Sequence, residues 1–453
     1  MDIRPRRVIA SALAFLLVAC TAQVAAPRPT DTPAASVEPT ASPRPTNTSN
    51  DVLQIRSLMN TAASEIVVID ARTGARLRAL PDGVMSVDRS TIYWTERVNG
   101  AAQTKVHVAE AATGRDLRSF TVEGNLLPAA FEAGRGAITA DGKHVVLTNS
   151  PYQLAEGWVT KIVVVDTTTG AVDTASELRG ASTYAFVAIS PDGASIFMNQ
   201  YGEGATSLRV FDVGTASLLP AGTLGSAPIR SQNGFRSTGV TSRDGRWLFA
   251  LDSGDLLAYG ATDTPFILAV DLVGKRTQRI ALPIEQKSWD FEKYLLWSLA
   301  LTADGNTAYA VNPALGAIDE IDLQRMSVRR TAQITVSRAP DGGALSALGS
   351  FLFPVAAAKR YVTAGALLSP DERTIYALGF KGLAVIDRQS LTSRLWASDR
   401  EFDNLALSPD GARLYATSNN DSKILIVDTR DGSGLGTLAT PSYAQAILRV
   451  DSR

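Results

Sequence analysis

A turn that keeps returning is what most restricts the folds open to this chain. Near the C-terminus, in LALSPDGARLYATSNNDSKILIVDTRDG (residues 405–432), Ser408-Pro409-Asp410-Gly411 separates short apolar runs. Pro presets φ at the second position of such a turn, and Asp and Gly suit the third and fourth. The flanking runs, around Leu414-Tyr415-Ala416 and from Ile424 to Val427, are short, apolar and bounded by turn residues. That is the pattern of strands, not of helices. Three runs read as strands a, b and c, and the segment after Asp428-Thr429-Arg430-Asp431-Gly432 supplies strand d.

The unit repeats from residue 52 onward. The a–b turn recurs around Asp88, Asp141, Asp192, Asp244, Asp304 and Asp371, and the acidic end of strand c recurs at Asp70, Glu110, Asp166, Asp212, Asp271, Asp322 and Asp387. From Asp88 to Asp410 the spacing averages about 54 residues, within reach of propeller repeats once loop insertions are allowed. One such unit exposes a hydrophobic sheet face, which radial packing of neighbours buries. The expected fold is therefore an all-β single propeller of four-stranded blades. Seven a–b turns stand against eight strand-c endings. The surplus at the N-terminus, Val52 to Ser57 with EIVVID and RLRAL, reads as strands b, c and d of a blade whose strand a comes from AQAILRV (444–450). Eight blades are expected, with seven as the alternative count, and closure from both termini removes an open sheet edge.

The Tyr-Ala-Thr-Ser-Asn-Asn and Ile-Leu-Ile-Val-Asp-Thr segments (415–420 and 424–429) resemble the YVTN-type repeat of bacterial surface propellers. The Ser-Pro-Asp-Gly turns are similar to those of the wider WD40-like and TolB-like group, although these repeats do not carry the Gly-His and Trp-Asp pair of true WD40 blades. The resemblance covers roughly residues 52–453 and implies fold. Its motifs do not specify function, and because related propellers host both, a lactonase-like hydrolase or a quinone-cofactor dehydrogenase stands as the enzyme alternative.

The N-terminus carries an address. In MDIRPRRVIASALAFLLVAC, arginines 4, 6 and 7 precede an apolar stretch from Val8 to Ala19 that is too short to span a bilayer. Leu17-Val18-Ala19-Cys20 resembles the lipobox of bacterial lipoproteins, which implies cleavage before Cys20 and acylation of that residue. Several acyl chains hold a protein stably to a membrane where one does not. Residues 1–20 are thus expected as a lipoprotein signal peptide, 21–51 as a Pro/Thr/Ser-rich disordered tether, and 52–453 as the propeller. The expected location is extracytoplasmic, lipid-anchored to the membrane of a bacterial cell envelope.

Composition narrows the chemistry. The balance of 44 basic against 45 acidic residues argues against nucleic acid as a partner, because phosphate binding needs a concentrated basic face. A single cysteine permits no intrachain disulfide, and only two histidines occur, His107 in a strand c and His144 in a strand b, which read as satisfied by neighbours. The repeated aspartates read as turn formers, whose carboxylates accept from backbone N–H groups nearby. The sequence assigns no catalytic residue, no metal ligand and no cofactor.

Two long connections depart from the repeat, 285–296 and 337–364, and long loops in a compact repeat are usually functional or mobile. The alternative for their aromatics is packing, with Phe351 and Phe353 filling a blade gap and the tryptophans lying against their own loop. Trp289, Phe291, Tyr294 and Trp297 lie in or beside the first, and Phe351, Phe353, Lys359, Arg360 and Tyr361 lie in the second. Tyr152, Trp158, Tyr201 and Tyr259, from b–c connections, are expected on the same top face. Aromatic rings with polar tips, mixed with Arg and Lys, suit contact with a protein or glycan partner in the envelope. The expected function is a membrane-tethered binding or scaffold module.

Overall fold

The computed structural model describes residues 49–453 apart from 59–63, 99, 101, 130–136, 203–205, 226–235, 253–264, 284–292, 294–295, 336–364, 419–421 and 441–442. The expectations for the signal peptide, Cys20 and nearly all of the tether lie outside these residues. Eight antiparallel sheets form eight blades in a ring, so the chain is an eight-bladed β-propeller. The first blade is built from both ends. Its strands b, c and d are Asp51–Leu58, Ser64–Asp70 and Arg76–Pro81, and its strand a is Tyr443–Ser452 at the C-terminus. Ser49 and Asp51, placed with the tether by the sequence, are buried and belong to the propeller. The third blade carries a short extra strand, Tyr152–Leu154, paired to the start of its strand c.

Strand c is apolar on both faces because each blade is covered on both sides. Ile66 and Val68 pack toward the second blade, and Val67 and Ile69 pack toward the eighth. Similar layers fill the other blade interfaces, for example Phe249, Ile267, Trp297 and Ile321 between the fifth and sixth blades. Strand d, on the outside, alternates and exposes its polar residues, as in Arg276–Ala281.

Seven a–b turns share one set of bonds. The hydroxyl of a Ser or Thr donates to the Asp two residues on, at 2.5 to 2.7 Å, in Ser86–Asp88, Thr139–Asp141, Ser190–Asp192, Ser242–Asp244, Thr302–Asp304, Ser369–Asp371 and Ser408–Asp410. The same hydroxyl accepts the N–H of the first residue of strand b, as Ser242 does from Trp247 at 2.9 Å. The Asp accepts the N–H two residues further on, as Asp244 does from Arg246 at 3.1 Å. These bonds hold the turn carboxyls below the usual range. In Asp304 the Thr302 hydroxyl and the Asn306 N–H bring it to about 2.

The residue after each turn Asp takes a positive φ, which favours Gly. Gly305 has φ +70° with no atom within 4 Å of where a Cβ would stand. Gly411 has the same φ, but there a Cβ would meet Pro370 Cδ of the neighbouring turn at 2.8 Å. Arg89 and Glu372 occupy this position at φ 57° and 55°, so a side chain is tolerated where space allows. Gly305→Ala should therefore cost about 1 kcal/mol from backbone strain alone, and Gly411→Ala about twice that. Chemical denaturation of the two variants measures the difference, and equal losses would show that the contact with Pro370 carries no weight.

Candidate functional site

All a–b and c–d turns emerge on one face of the ring, and the variable residues flanking them decide what that face can do. Strand b opens opposite the acidic end of strand c in every blade. The residue there is Val52, Thr91, His144, Ser195, Trp247, Thr307, Thr374 or Arg413. Only the fifth blade places an indole at this point, and arginines stand on either side of it. Between its turns and those of the sixth blade opens a cleft of about 830 Å³. Arg243, Arg246, Trp247 and Arg276 line one wall, and Asp304, Asn306 and Gln324 line the other.

Asp271 organises the first wall. It is fully buried, yet its carboxylate accepts from Arg246 Nε and Nη2 at 3.3 and 3.2 Å and from Arg276 Nε at 3.1 Å. The N–H groups of Val273 and Gly274 complete the set at 3.2 and 2.8 Å. Burial by itself pushes the Asp271 carboxyl up, but the Arg246 hydrogen bond, the Gly274 N–H and the guanidinium charges outweigh it and hold the carboxyl low. Gly274 makes room for this, since a Cβ there would stand 2.6 Å from Asp271 Oδ2. Trp247 is half-buried and stacks against Phe249, centroids 6.0 Å apart and planes 13° off parallel. The guanidinium carbons of Arg246 and Arg276 each lie 5.9 Å from the indole centroid. The result is a fixed aromatic surface flanked by two cations whose arms are already ordered.

The aromatic residues singled out by sequence fare differently. Trp289, Phe291, Tyr294, Phe351, Phe353, Lys359, Arg360, Tyr361 and Tyr259 lie outside the described residues. Trp297 does not reach the surface: it is fully buried in the layer between the fifth and sixth blades, immediately before strand a, Ser298–Leu301. Its place in the blade and not the loop before it decides its exposure. Tyr152 and Tyr201 are exposed on the b–c face, as expected, and Trp158 is half-buried.

Both histidines have carboxylate neighbours. His107 stacks on Trp94 at 3.7 Å, with Glu96 at 3.3 Å and Asp116 at 3.5 Å, and His144 lies 3.5 Å from Asp173. Among the described residues no group of His, Cys, Asp and Glu is arranged to hold a metal ion. One buried acid passed unnoticed in the sequence. Asp319, in strand c of the sixth blade (Ala317–Asp322), is fully buried on the face it shares with Ala317 and Ile321. Burial pushes its carboxyl up to about 6 against the opposing hydrogen bond from Thr331, which donates to Oδ1 at 2.6 Å, while Oδ2 has no partner. The sequence signal was the third residue of that strand, where the other endings mostly carry Val, Leu or Ala.

The fold has solved counterparts of low identity. Dihydro-heme d1 dehydrogenase NirN, in complex with DHE, is 14% identical over 89% of this chain and 76% of its own, with a TM-score of 0.51. Apo AztD from Citrobacter koseri is 11% identical over 87% of this chain and 96% of its own, TM-score 0.47. The periplasmic gluconolactonase PpgL of Pseudomonas aeruginosa is 17% identical over 80% of this chain and 98% of its own, TM-score 0.40. Such identities speak to the fold alone. No protein-family model matches the chain, and no curated protein is significantly similar to it.

Trp297→Ala should cost about 3–5 kcal/mol, as for a large core aromatic, while Tyr152→Ala should stay within about 0.5 kcal/mol. Comparable losses in urea denaturation would mean that Trp297 is not the core residue described. For Asp319 the folded-state pKa lies above the unfolded value, so folding is weakened as pH rises through 4 to 6. Asp319→Asn should therefore raise the unfolding free energy by roughly 2–3 kcal/mol at pH 8 and by little at pH 4. A gain that does not change with pH would refute the buried charge as its source.

Proposed function

We propose that the protein is a lipid-tethered binding module of a bacterial cell envelope. Acylated Cys20 holds it to the membrane, the Pro/Thr/Ser-rich segment spaces it from the surface, and the propeller recognises its ligand in the cleft between the fifth and sixth blades. The observation that carries this reading is the Arg246–Trp247–Arg276 wall, whose cations are ordered in advance by buried Asp271. Groups held in their binding geometry cost little to immobilise when a ligand arrives. The chain enters the propeller on the same face. Ser49 and Asp51 bond Tyr415, and the Asp51 carbonyl accepts the N–H of Ala71 in the first c–d turn.

The connections 285–296 and 337–364, which follow the strand d of the fifth and of the sixth blade in the chain, are a second proposed contact surface, for a protein partner. The enzyme alternative, a lactonase-like hydrolase or a quinone-cofactor dehydrogenase, rests on likeness of fold, which does not specify chemistry. The described wall is better suited to holding an anion than to moving a proton. Asp319, whose carboxyl is raised toward neutrality, is enclosed by blade packing.

Two experiments on the full chain test the proposal. Metabolic labelling with an alkyne fatty acid should tag the wild type in the membrane fraction, and Cys20→Ala should be unlabelled and released; retention of that variant would end the tether reading. An Arg246→Gln/Arg276→Gln double variant, less stable because Asp271 loses its partners but still folded by circular dichroism, should lose at least tenfold of its retention on immobilised envelope material. Undiminished retention there, with loss on Ala substitution at Trp289, Phe291, Phe351 and Phe353, would transfer recognition to the two long connections.

A further inference from the structure

From the cleft between the fifth and sixth blades we infer the class of ligand: a saccharide bearing carboxylate groups, an acidic oligosaccharide of the uronate kind. This rests on the binding-module reading above and adds the chemistry of what is bound.

Charge alone does not decide it, because Arg243, Arg246 and Arg276 face Asp244, Asp271 and Asp304 and the formal sum is zero. What decides is which groups still have bonds to offer. Asp244 accepts from the Ser242 hydroxyl at 2.5 Å and the Arg246 N–H at 3.1 Å, both at Oδ1, which leaves Oδ2 as an acceptor at the cleft. Asp304 accepts from the Thr302 hydroxyl at 2.6 Å, and from the backbone and side chain of Asn306 at 3.0 Å each. Asp271 is buried beneath its two arginines. Apart from Asp244 Oδ2, the carboxylate oxygens are thus committed to their turns or to the arginines. The guanidinium groups are not. Arg246 turns Nε and Nη2 to Asp271 and keeps Nη1, and Arg276 turns only Nε and keeps both terminal nitrogens. With five N–H donors on each guanidinium, most remain available. An incoming ligand meets donors and few free acceptors, which selects an anion over a cation.

The aromatic wall distinguishes between anions. Trp247, half-buried and stacked with Phe249, presents its indole to the cleft with the Arg246 and Arg276 guanidinium carbons over the ring, each 5.9 Å from its centroid. A ligand that uses all three groups needs a ring to lie on the indole and a carboxylate fixed to that ring's edge. A uronate residue has this shape, with an apolar ring face, hydroxyls around it and a carboxylate on the ring carbon. An acidic peptide carries its carboxylates on flexible arms and has no ring for the indole, so it pays more ordering entropy for the same charge contacts. The amides of Gln324 and Asn306 across the cleft are linked to each other at 3.0 Å and stand where ring hydroxyls would be met. A cleft of about 830 Å³ lies within the range of small-ligand sites and admits a few sugar residues.

The test is calorimetric titration of the full chain with tetragalacturonate, its methyl ester and a tetraglutamate peptide at low salt. The acid saccharide should bind, the uncharged ester at least tenfold more weakly and the peptide more weakly than the saccharide. Arg276→Gln, at an exposed side chain, should weaken the acid saccharide at least tenfold. Arg430→Gln, which removes the same charge from the eighth blade on the same face, should leave it unchanged. Raising the salt to 0.5 M should weaken the wild type and bring the two sugars closer together. Equal binding of acid and ester, tighter binding of the peptide, an unaffected Arg276→Gln variant, or no binding of any probe would each overturn the inference. If these fail while the Arg246→Gln/Arg276→Gln variant still loses retention on envelope material, the cleft remains the binding site and only the ligand class is wrong.

Discussion

The ring depends on one pairing, that of the strand Asp51–Leu58 with Tyr443–Ser452, residues almost four hundred positions apart. Each of the other seven blades closes locally, but a propeller whose last blade lacks its inner strand has an open edge and an uncovered layer. Leu53 and Ile55 fill that layer with Ile447 against Tyr415 and Ile426 of the eighth blade. A buried polar bond fixes the register beside it, since the Tyr415 hydroxyl donates to Asp51 at 2.6 Å. Burying a carboxylate is expensive unless its oxygens are used, so the arrangement tolerates little slippage. All the blade interfaces acquire their geometry from this closure, the one between the fifth and sixth included.

Within the closed ring the repeated turn separates two tasks. Its Ser or Thr and its Asp are consumed by local bonds, identical in seven copies, and these fix the end of each strand b opposite the end of strand c. Residues just outside that set are free to vary without weakening the turn. The fifth blade uses this freedom at three positions, Arg246, Trp247 and Arg276, which antiparallel register brings around one carboxylate.

This separation explains what could be read in the sequence. Turn chemistry is local, so the Asp positions, the strands between them and the count of eight blades followed from residues close in the chain. Even the completion of the first blade by the C-terminus was legible, because the N-terminal unit lacked one strand and the C-terminal end had one to spare. The cleft was not, because Trp247 and Arg276 are 29 positions apart and meet only through strand register, and the opposite wall belongs to another blade. Trp297 misled for a related reason. It follows a long connection and looks like part of it, but one residue before strand a it already faces the apolar layer. Asp319 lies inside AIDEID, three residues before the strand-c Asp322, where it looks like one more strand-end acid although the position is buried from both sides.

Asp271 joins the two tasks. Elsewhere the strand-c carboxylate serves its own c–d turn, often with one exposed arginine, as Asp428 does with Arg430 at 2.6 Å. Asp271 serves the turn through Val273 and Gly274 and also orders two guanidiniums beside an indole. Because one carboxylate closes the turn through Oδ1 and holds the cations through both oxygens, the placement of the two guanidinium groups is tied to the turn itself. The converse also holds: Asp271 cannot be altered without loosening the turn, so the proposed role of this wall is accessible only through the arginines and the tryptophan. The residues that flank the repeated turn can then change blade by blade without disturbing the closure on which every blade depends.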